Sequence, residues 1–286
     1  MTAHAFDAVT PLGRPHYWSL GSESQLLLAS DGTFAASAAT QIADALGARW
    51  RLRPRVISPE FEGASLDPAE ILRVADDQRS ELIVMGLRPH AFLDRVFRDE
   101  TALAVMRHAF VPVFAVTPTL TRLPRSIAVG VDFSRASIAA ARVAMTLVEE
   151  GGSLLLVYVE PPMDRLTGAE GFGVIYAQGV SAAFARLRQE LRGSRNVDIE
   201  TLVLNGRVAA ELLSFAERAD VDVLAVGSQR HSITHPAFLG SVTTALVRAA
   251  TRSLLVVPPG PQAPRTRTCS RDRARSRPRS SHHAPR

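Results

Sequence analysis

Apolar positions in the second half of the chain come in two textures. Short continuous runs rich in Val, Leu and Ile recur near 126–132, 153–159, 197–204, 221–227 and 253–257. Runs of this length and β-branched content suit strands buried on both faces, as in a parallel sheet covered by helices. Between them the apolar positions return every three to four residues. Ile138, Ala141, Met145 and Val148 fall on one helical face, and Val180, Phe184, Leu187 and Leu191 on another. Five strands alternating with four helices predict a doubly wound α/β domain.

The pattern occurs twice. ELIVMGLRPH from Glu81 aligns with DVLAVGSQRH from Asp222, and VMRHAFVPVFAVTP from Val105 with LVRAATRSLLVVPP from Leu246, both at an offset of 141. Upstream, LLLASDGTFAASAA sets Asp31 opposite Asp132 of IAVGVDFSRASIAA, an offset of 101, so the first copy is 141 − 101 = 40 residues shorter between its Asp and its Gly. Those 40 residues correspond to the long helix and third strand of copy two. If that strand is a sheet edge, losing it leaves the central pairs intact. The reading is therefore an N-terminal extension over 1–23, a shortened domain over 24–118, a Pro-containing link, a full domain over 125–259 and a tail over 260–286. The last strands of the two copies, near 111–116 and 253–257, are apolar and are expected to pair, giving an intramolecular pseudo-two-fold and leaving a homodimer open.

Composition narrows the chemistry. All 33 basic residues among 286 are Arg, which removes Walker-type phosphate loops and lysine nucleophiles. Cys269 is the sole cysteine, so an internal disulfide or multi-cysteine metal site is excluded. The first 24 residues lack the apolar stretch of a signal peptide, and no run of 18 apolar residues occurs. Cytoplasmic location and no membrane partner are the expectation. The net charge of +5 divides unevenly: residues 259–286 hold 8 Arg against Asp272, net +7, and the rest 25 Arg against 27 acids, net −2. The tail has almost nothing apolar to bury and is expected to be a solvated extension. Its Arg residues could touch nucleic acid by counterion release, although no such partner is the simpler expectation.

Ligands of an open parallel sheet bind beyond the carboxyl ends of its strands, where Asp132 and Gly227 should stand. After Gly227 come the loop SQRHSITHPAFL and Gly240-Ser241-Val242, which opens a helix expected to bury Val242, Ala245, Leu246 and Ala249. Such a start offers backbone N–H groups and a hydroxyl to phosphate. These residues resemble the universal stress protein family, whose nucleotide-binding members carry Gly, two residues, Gly, nine residues, then Gly-Ser or Gly-Thr, with an Asp ending the first strand. The resemblance spans about residues 24–258 and is strongest in VGVDFSRAS, LLLVYVEPP and GSVTTALVRAATRSLLVVPP. It implies two tandem Rossmann-like domains of the adenine nucleotide alpha hydrolase-like kind, with ATP or another adenine nucleotide in copy two. Asp132 would then bond the adenosine, Tyr158 or a strand neighbour would line the base pocket, and Gly227, Gly240, Ser241 and Val242 would hold ribose and phosphates.

The chain departs from that pattern at Arg230, where the second Gly belongs. Arg supplies neither positive φ nor room for phosphate against bare backbone, but its guanidinium could donate to the phosphates. In copy one the corresponding places hold Gly86, Pro89, Asp99 and Glu100, and two carboxylates would repel an anion. A packing role is expected there, Asp31 serving as well for a helix cap. His231 and His235 have a metal-like spacing but sit in an expected loop before Pro236, and GAEGFG at 168–173 reads as a loop. No metal site or catalytic nucleophile is expected. Three readings stay open: a regulatory nucleotide-binding module, a scaffold acting through protein interaction, and an enzyme with at most slow ATP hydrolysis.

Overall fold

The computed structural model describes residues 18, 20–22, 24–32, 34–59, 66–87, 100–160, 172–193, 195–228 and 240–260. The elements run β1 (Leu26–Ala29), α1 (Phe34–Trp50), β2 (Arg55–Ile57), α2 (Pro68–Asp77), β3 (Leu82–Gly86), α3 (Glu100–His108) and β4 (Val113–Val116). They continue β5 (Ser126–Gly130), α4 (Arg135–Leu147), β6 (Ser153–Glu160), α5 (Phe172–Leu191), β7 (Asp198–Asn205), α6 (Val208–Arg218), β8 (Val223–Gly227), α7 (Ser241–Ala249) and β9 (Ser253–Val257). Among the described residues no counterpart of α5 and β7 stands between β2 and α2, and β7 is an edge strand.

The nine strands among the described residues form one sheet in the order β2-β1-β3-β4-β9-β8-β5-β6-β7. Every neighbouring pair is parallel except β4 and β9, which meet antiparallel with Phe114 opposite Leu255. Because the last strand of each half pairs with the other, neither β4 nor β9 presents an unpaired backbone edge. Buried hydroxyls set the register at this seam. The Thr117 N–H donates to Ser253 Oγ at 3.0 Å, and the two hydroxyls lie 3.0 Å apart. A slip of one residue would separate this pair and leave the Thr117 N–H without its acceptor.

Two apolar layers sandwich the sheet, each continuous across both halves. One holds the buried faces of α1, α4 and α5, with Ile42, Leu46, Val143, Leu147, Phe184 and Leu187 against Phe114, Ile127 and Leu255. The other holds α2, α3, α6 and α7, with Ile71, Val105, Leu212, Phe215 and Leu246 against Ile83, Ala115 and Leu254. Tyr17–Pro261 accordingly forms one compact unit. Trp18 and Leu20, in the segment that sequence leaves unread, pack on the first layer, and the Trp18 indole N–H donates to Pro258 O at 3.3 Å.

A second bridge joins the halves at the carboxyl end of α4. Arg49 of α1 donates to the carbonyls of Thr146, Leu147 and Val148, each at 3.1 Å, and Arg195 donates to Met145, Thr146 and Val148. Both guanidiniums satisfy carbonyls that lack intrahelical donors and lie at the negative pole of the helix. Burial and then the Arg195 charge lower the Arg49 pKa, against the opposing pull of Glu149 and Glu150.

The faces of α4 and α5 are buried as the periodicity requires, Val180, Phe184, Leu187 and Leu191 being 5%, 6%, 2% and 6% exposed. On α7 the expected stripe is corrected by one position. Thr243, Leu246, Val247 and Ala250 are buried, Val242 is half-buried, and Ala245 and Ala249 are exposed. The polar Thr243 hides the true i, i+3, i+4, i+7 spacing from a count of apolar letters.

Candidate functional site

β5 and β8 lie side by side, but the helices at their carboxyl ends go to opposite faces of the sheet, α4 to one layer and α7 to the other. This divergence opens a crevice at the reversal of strand order. A cavity of about 300 Å³ occupies it. β5 and the turn after it contribute Gly130, Val131 and Asp132, and β6 contributes Val157, Tyr158 and Val159. Val226 and Gly227 come from β8, Val208 and Leu212 from α6, Ser137 from α4, and Gly240, Ser241, Val242 and Thr243 from the start of α7.

Six of the seven residues singled out in the sequence therefore meet around one cavity: Asp132, Tyr158, Gly227, Gly240, Ser241 and Val242. The seventh, Arg230, lies outside the described residues, as do His231, His235, the GAEGFG run except its last two residues, and the tail. Among the described residues no cluster of His, Cys, Asp or Glu is arranged to hold a metal ion. No helix among them is long and apolar enough to cross a membrane.

Asp132 is the single charged residue among the described residues of the lining. It stands exposed two residues beyond β5, and its Oδ1 accepts the Ser134 N–H at 3.0 Å. Its own N–H donates to Ser137 Oγ at 3.3 Å, and that hydroxyl donates to Ser134 O at 3.1 Å. Ser134 caps α4 by accepting the Ser137 N–H. On the opposite wall α7 begins at Gly240, which supplies no side-chain cap. The first ladder bond there is Thr244 N–H to Gly240 O at 2.9 Å, so the amides of Ser241, Val242 and Thr243 have no acceptor within the helix. α6 also starts without a side-chain cap, at Arg207 beside Val208. The cavity thus has an apolar middle, a carboxylate on one rim and two uncapped helix starts on the other side, each carrying positive partial charge.

Two residues play parts that sequence did not disclose. The Tyr158 ring stacks on Phe133, with centroids 5.4 Å apart and planes at 27°, and packs in the α4/α5 layer. The cavity is walled by residues of the other layer, Val157, Val159, Val208, Leu212 and Val242. Strand alternation gives Val157 and Val159 to the cavity face and turns the Tyr158 side chain away. At Gly227, a Cβ would meet Ala136 C at 2.3 Å and Ser137 N at 2.5 Å, so this glycine lets α4 approach the strand. Val159, Leu212 and Thr243 were not singled out in the sequence. Alternation along β6 could have found the first, and nothing in the text of α6 marks the second.

In copy one, Asp31 follows β1 by two residues, as Asp132 follows β5, and α3 opens on Glu100 where α7 opens on Ser241. Gly86 ends β3; Pro89 and Asp99 lie outside the described residues.

The universal stress protein family model matches the chain twice, over residues 15–117 and 124–258. Among solved structures, a universal stress protein from Archaeoglobus fulgidus DSM 4304 is similar, 14% identical over 83% of this chain and 100% of that one, with a TM-score of 0.57. A protein from Pseudomonas aeruginosa UCBPP-PA14 is 15% identical, covering 83% of each chain, with a TM-score of 0.51. At such identities the likeness is one of fold. No curated protein matches the chain. Two family-model matches, end to end along one nine-stranded sheet, make this chain a member of the universal stress protein family carrying two of its domains in tandem.

Proposed function

We propose that the chain is a regulatory module that binds one adenine nucleotide, ATP being the first candidate, in the cavity of its second half. The observation that carries this reading is the meeting of Asp132, Gly240, Ser241 and Thr243 around a cavity of about 300 Å³ at the strand-order reversal. The apolar walls of Val157, Val159 and Leu212 suit a base, Asp132 suits a hydroxyl or amino donor, and the α7 amides suit phosphate oxygens. Among the described residues of the lining, none beside Ser241 is a His or Glu. The module is proposed to act in the cytoplasm, as a binder rather than an enzyme.

The test is equilibrium binding of a fluorescent ATP analogue with parallel measurement of phosphate release. One nucleotide per chain, lost in Asp132→Ala and Gly240→Glu but kept in Asp31→Ala, is the expected result. Two per chain would contradict confinement to the second half, and steady phosphate release would favour an enzyme. A second reading, a family scaffold that works through protein contacts, draws on Gly227, whose lack of a side chain is accounted for by α4 packing without any ligand. Arg230→Gly separates the two. Binding created by that change would mean the guanidinium fills the pocket, and binding weakened by Arg230→Ala would mean it serves the phosphates.

A further inference from the structure

Among the described residues, four that are not glycine have positive φ: Arg51, Arg79, Phe133 and Asp220. Arg51 directly follows α1, and Arg79 and Asp220 follow the C-caps of α2 and α6, where a left-handed residue ends a helix. Phe133, at φ 59°, instead stands before a helix, between Asp132 and the α4 cap Ser134. An aromatic residue in this region is disfavoured by its Cβ and persists only when its surroundings over-determine it.

The repeat shows which part of the residue the turn needs. At the offset of 101 the matching position is Gly32, with φ +74° and nothing within 4 Å of its would-be Cβ. Both halves keep the left-handed turn three residues after the aligned strand end, and copy one makes it with the residue that adopts it freely. Copy two, which has the cavity, places an aromatic ring there against backbone preference. The turn itself therefore does not explain the ring. That ring stacks on Tyr158 and meets Phe184 edge to face, with centroids 5.2 Å apart and planes at 83°. It sits in the α4/α5 layer, away from the cavity walls, while its backbone neighbour Asp132 lines the cavity.

We infer that Phe133 is a positioning residue: its ring, anchored on Tyr158 and Phe184, fixes the turn so that the Asp132 carboxylate accepts the Ser134 N–H and is presented at the cavity rim. The consequence for a ligand rests on the nucleotide reading above, but the positioning itself does not, so the two can be tested apart. The same variants, Phe133→Gly, Phe133→Ala and Phe133→Tyr, serve both tests. The ligand-free measurement is amide hydrogen exchange at Ser134 by NMR. Phe133→Gly and Phe133→Ala are expected to speed it roughly tenfold, the worth of about one hydrogen bond, with Phe133→Tyr restoring it. Phe133→Gly should remain folded, since Gly32 makes the same turn. Binding of the fluorescent ATP analogue should weaken by a similar factor in the Gly and Ala variants and recover in Tyr. Unchanged exchange at Ser134 in Phe133→Gly would overturn the inference whatever the binding data show. If the wild-type chain binds no ATP analogue, the nucleotide reading fails and the exchange result alone still decides on the positioning role.

Discussion

Gly227→Ala isolates the packing explanation of a residue that the family pattern assigns to the ligand. The added methyl would lie 2.3, 2.5 and 2.6 Å from Ala136 C, Ser137 N and Ala136 O, all backbone atoms of the first turn of α4. No rotamer change can move them, so the helix must retreat by about 1 Å to restore ordinary contact. α4 buries nine residues, Ala136, Ser137, Ala139, Ala140, Ala141, Val143, Ala144, Met145 and Leu147. If about 60 atom pairs cross that interface at 0.1–0.2 kcal/mol each, a gap of 0.5–1 Å forfeits a quarter to a half of their sum, or roughly 3 kcal/mol. Gly130→Ala is the matched control. Its Cβ would meet only the ends of side chains, Leu212 Cδ1 at 2.8 Å and Val226 Cγ1 at 3.3 Å, which can turn aside for about 1 kcal/mol. Urea unfolding followed by circular dichroism should therefore rank Gly227→Ala well below Gly130→Ala, and the thermal midpoint of the former should fall by roughly 5–10 °C. Equal stability of Gly227→Ala and wild type would refute the packing argument.

The seam between the halves gives two further predictions. Ser253→Ala strands the buried Thr117 N–H, while the Thr117 hydroxyl keeps Thr119 Oγ1 at 3.0 Å, and should cost about 1–3 kcal/mol by denaturant midpoint. Phe114→Ala, at a fully buried site facing Leu255, should cost about 3–5 kcal/mol, and because both halves share the core a single unfolding transition should shift as a whole. Removing 262–286 should leave that transition in place while abolishing any salt-sensitive affinity for DNA, RNA or anionic vesicles, measured by titration at two ionic strengths. Salt-sensitive binding kept by the shortened chain would locate a basic surface on the α/β body instead.

Much of the fold was legible because buried parallel strands leave a signal that few other elements produce. The runs near 126–132, 153–159, 197–204, 221–227 and 253–257 correspond to β5 to β9 within two residues at each end. The 40-residue deficit of copy one has the size of α5 with β7, and an edge strand can be absent without unpairing its neighbour from the rest of the sheet. What escaped were contacts whose cause is distant in sequence. Arg49 finds its acceptors 97 to 99 residues away at the end of α4, and Trp18 finds Pro258 at a separation of 240. Neither side chain carries any local mark of its partner, and an exposed Arg near a helix end reads the same whether or not another helix terminates beside it.

The site was legible in its polar and glycine residues and obscure in its walls, for a reason that belongs to the geometry of a strand. Asp132 and Gly240-Ser241 are placed by chain reversals, which demand particular residue types and so leave a pattern. A pocket wall demands only that some apolar side chain face the right way. Tyr158 attracts notice as the aromatic residue of β6, yet in a strand whose side chains alternate it shares a face with Leu154 and Leu156, both in the α4/α5 layer. The neighbours Val157 and Val159 belong to the other layer and line the cavity. The aromatic ring then acquires a meaning only through Phe133, whose left-handed backbone is a glycine in the first copy. What separates the two copies is thus broader than the start of the last helix, where Ser241 replaces Glu100. It extends to the turn beside the aspartate, where the second copy holds a ring in a conformation that the first leaves to glycine.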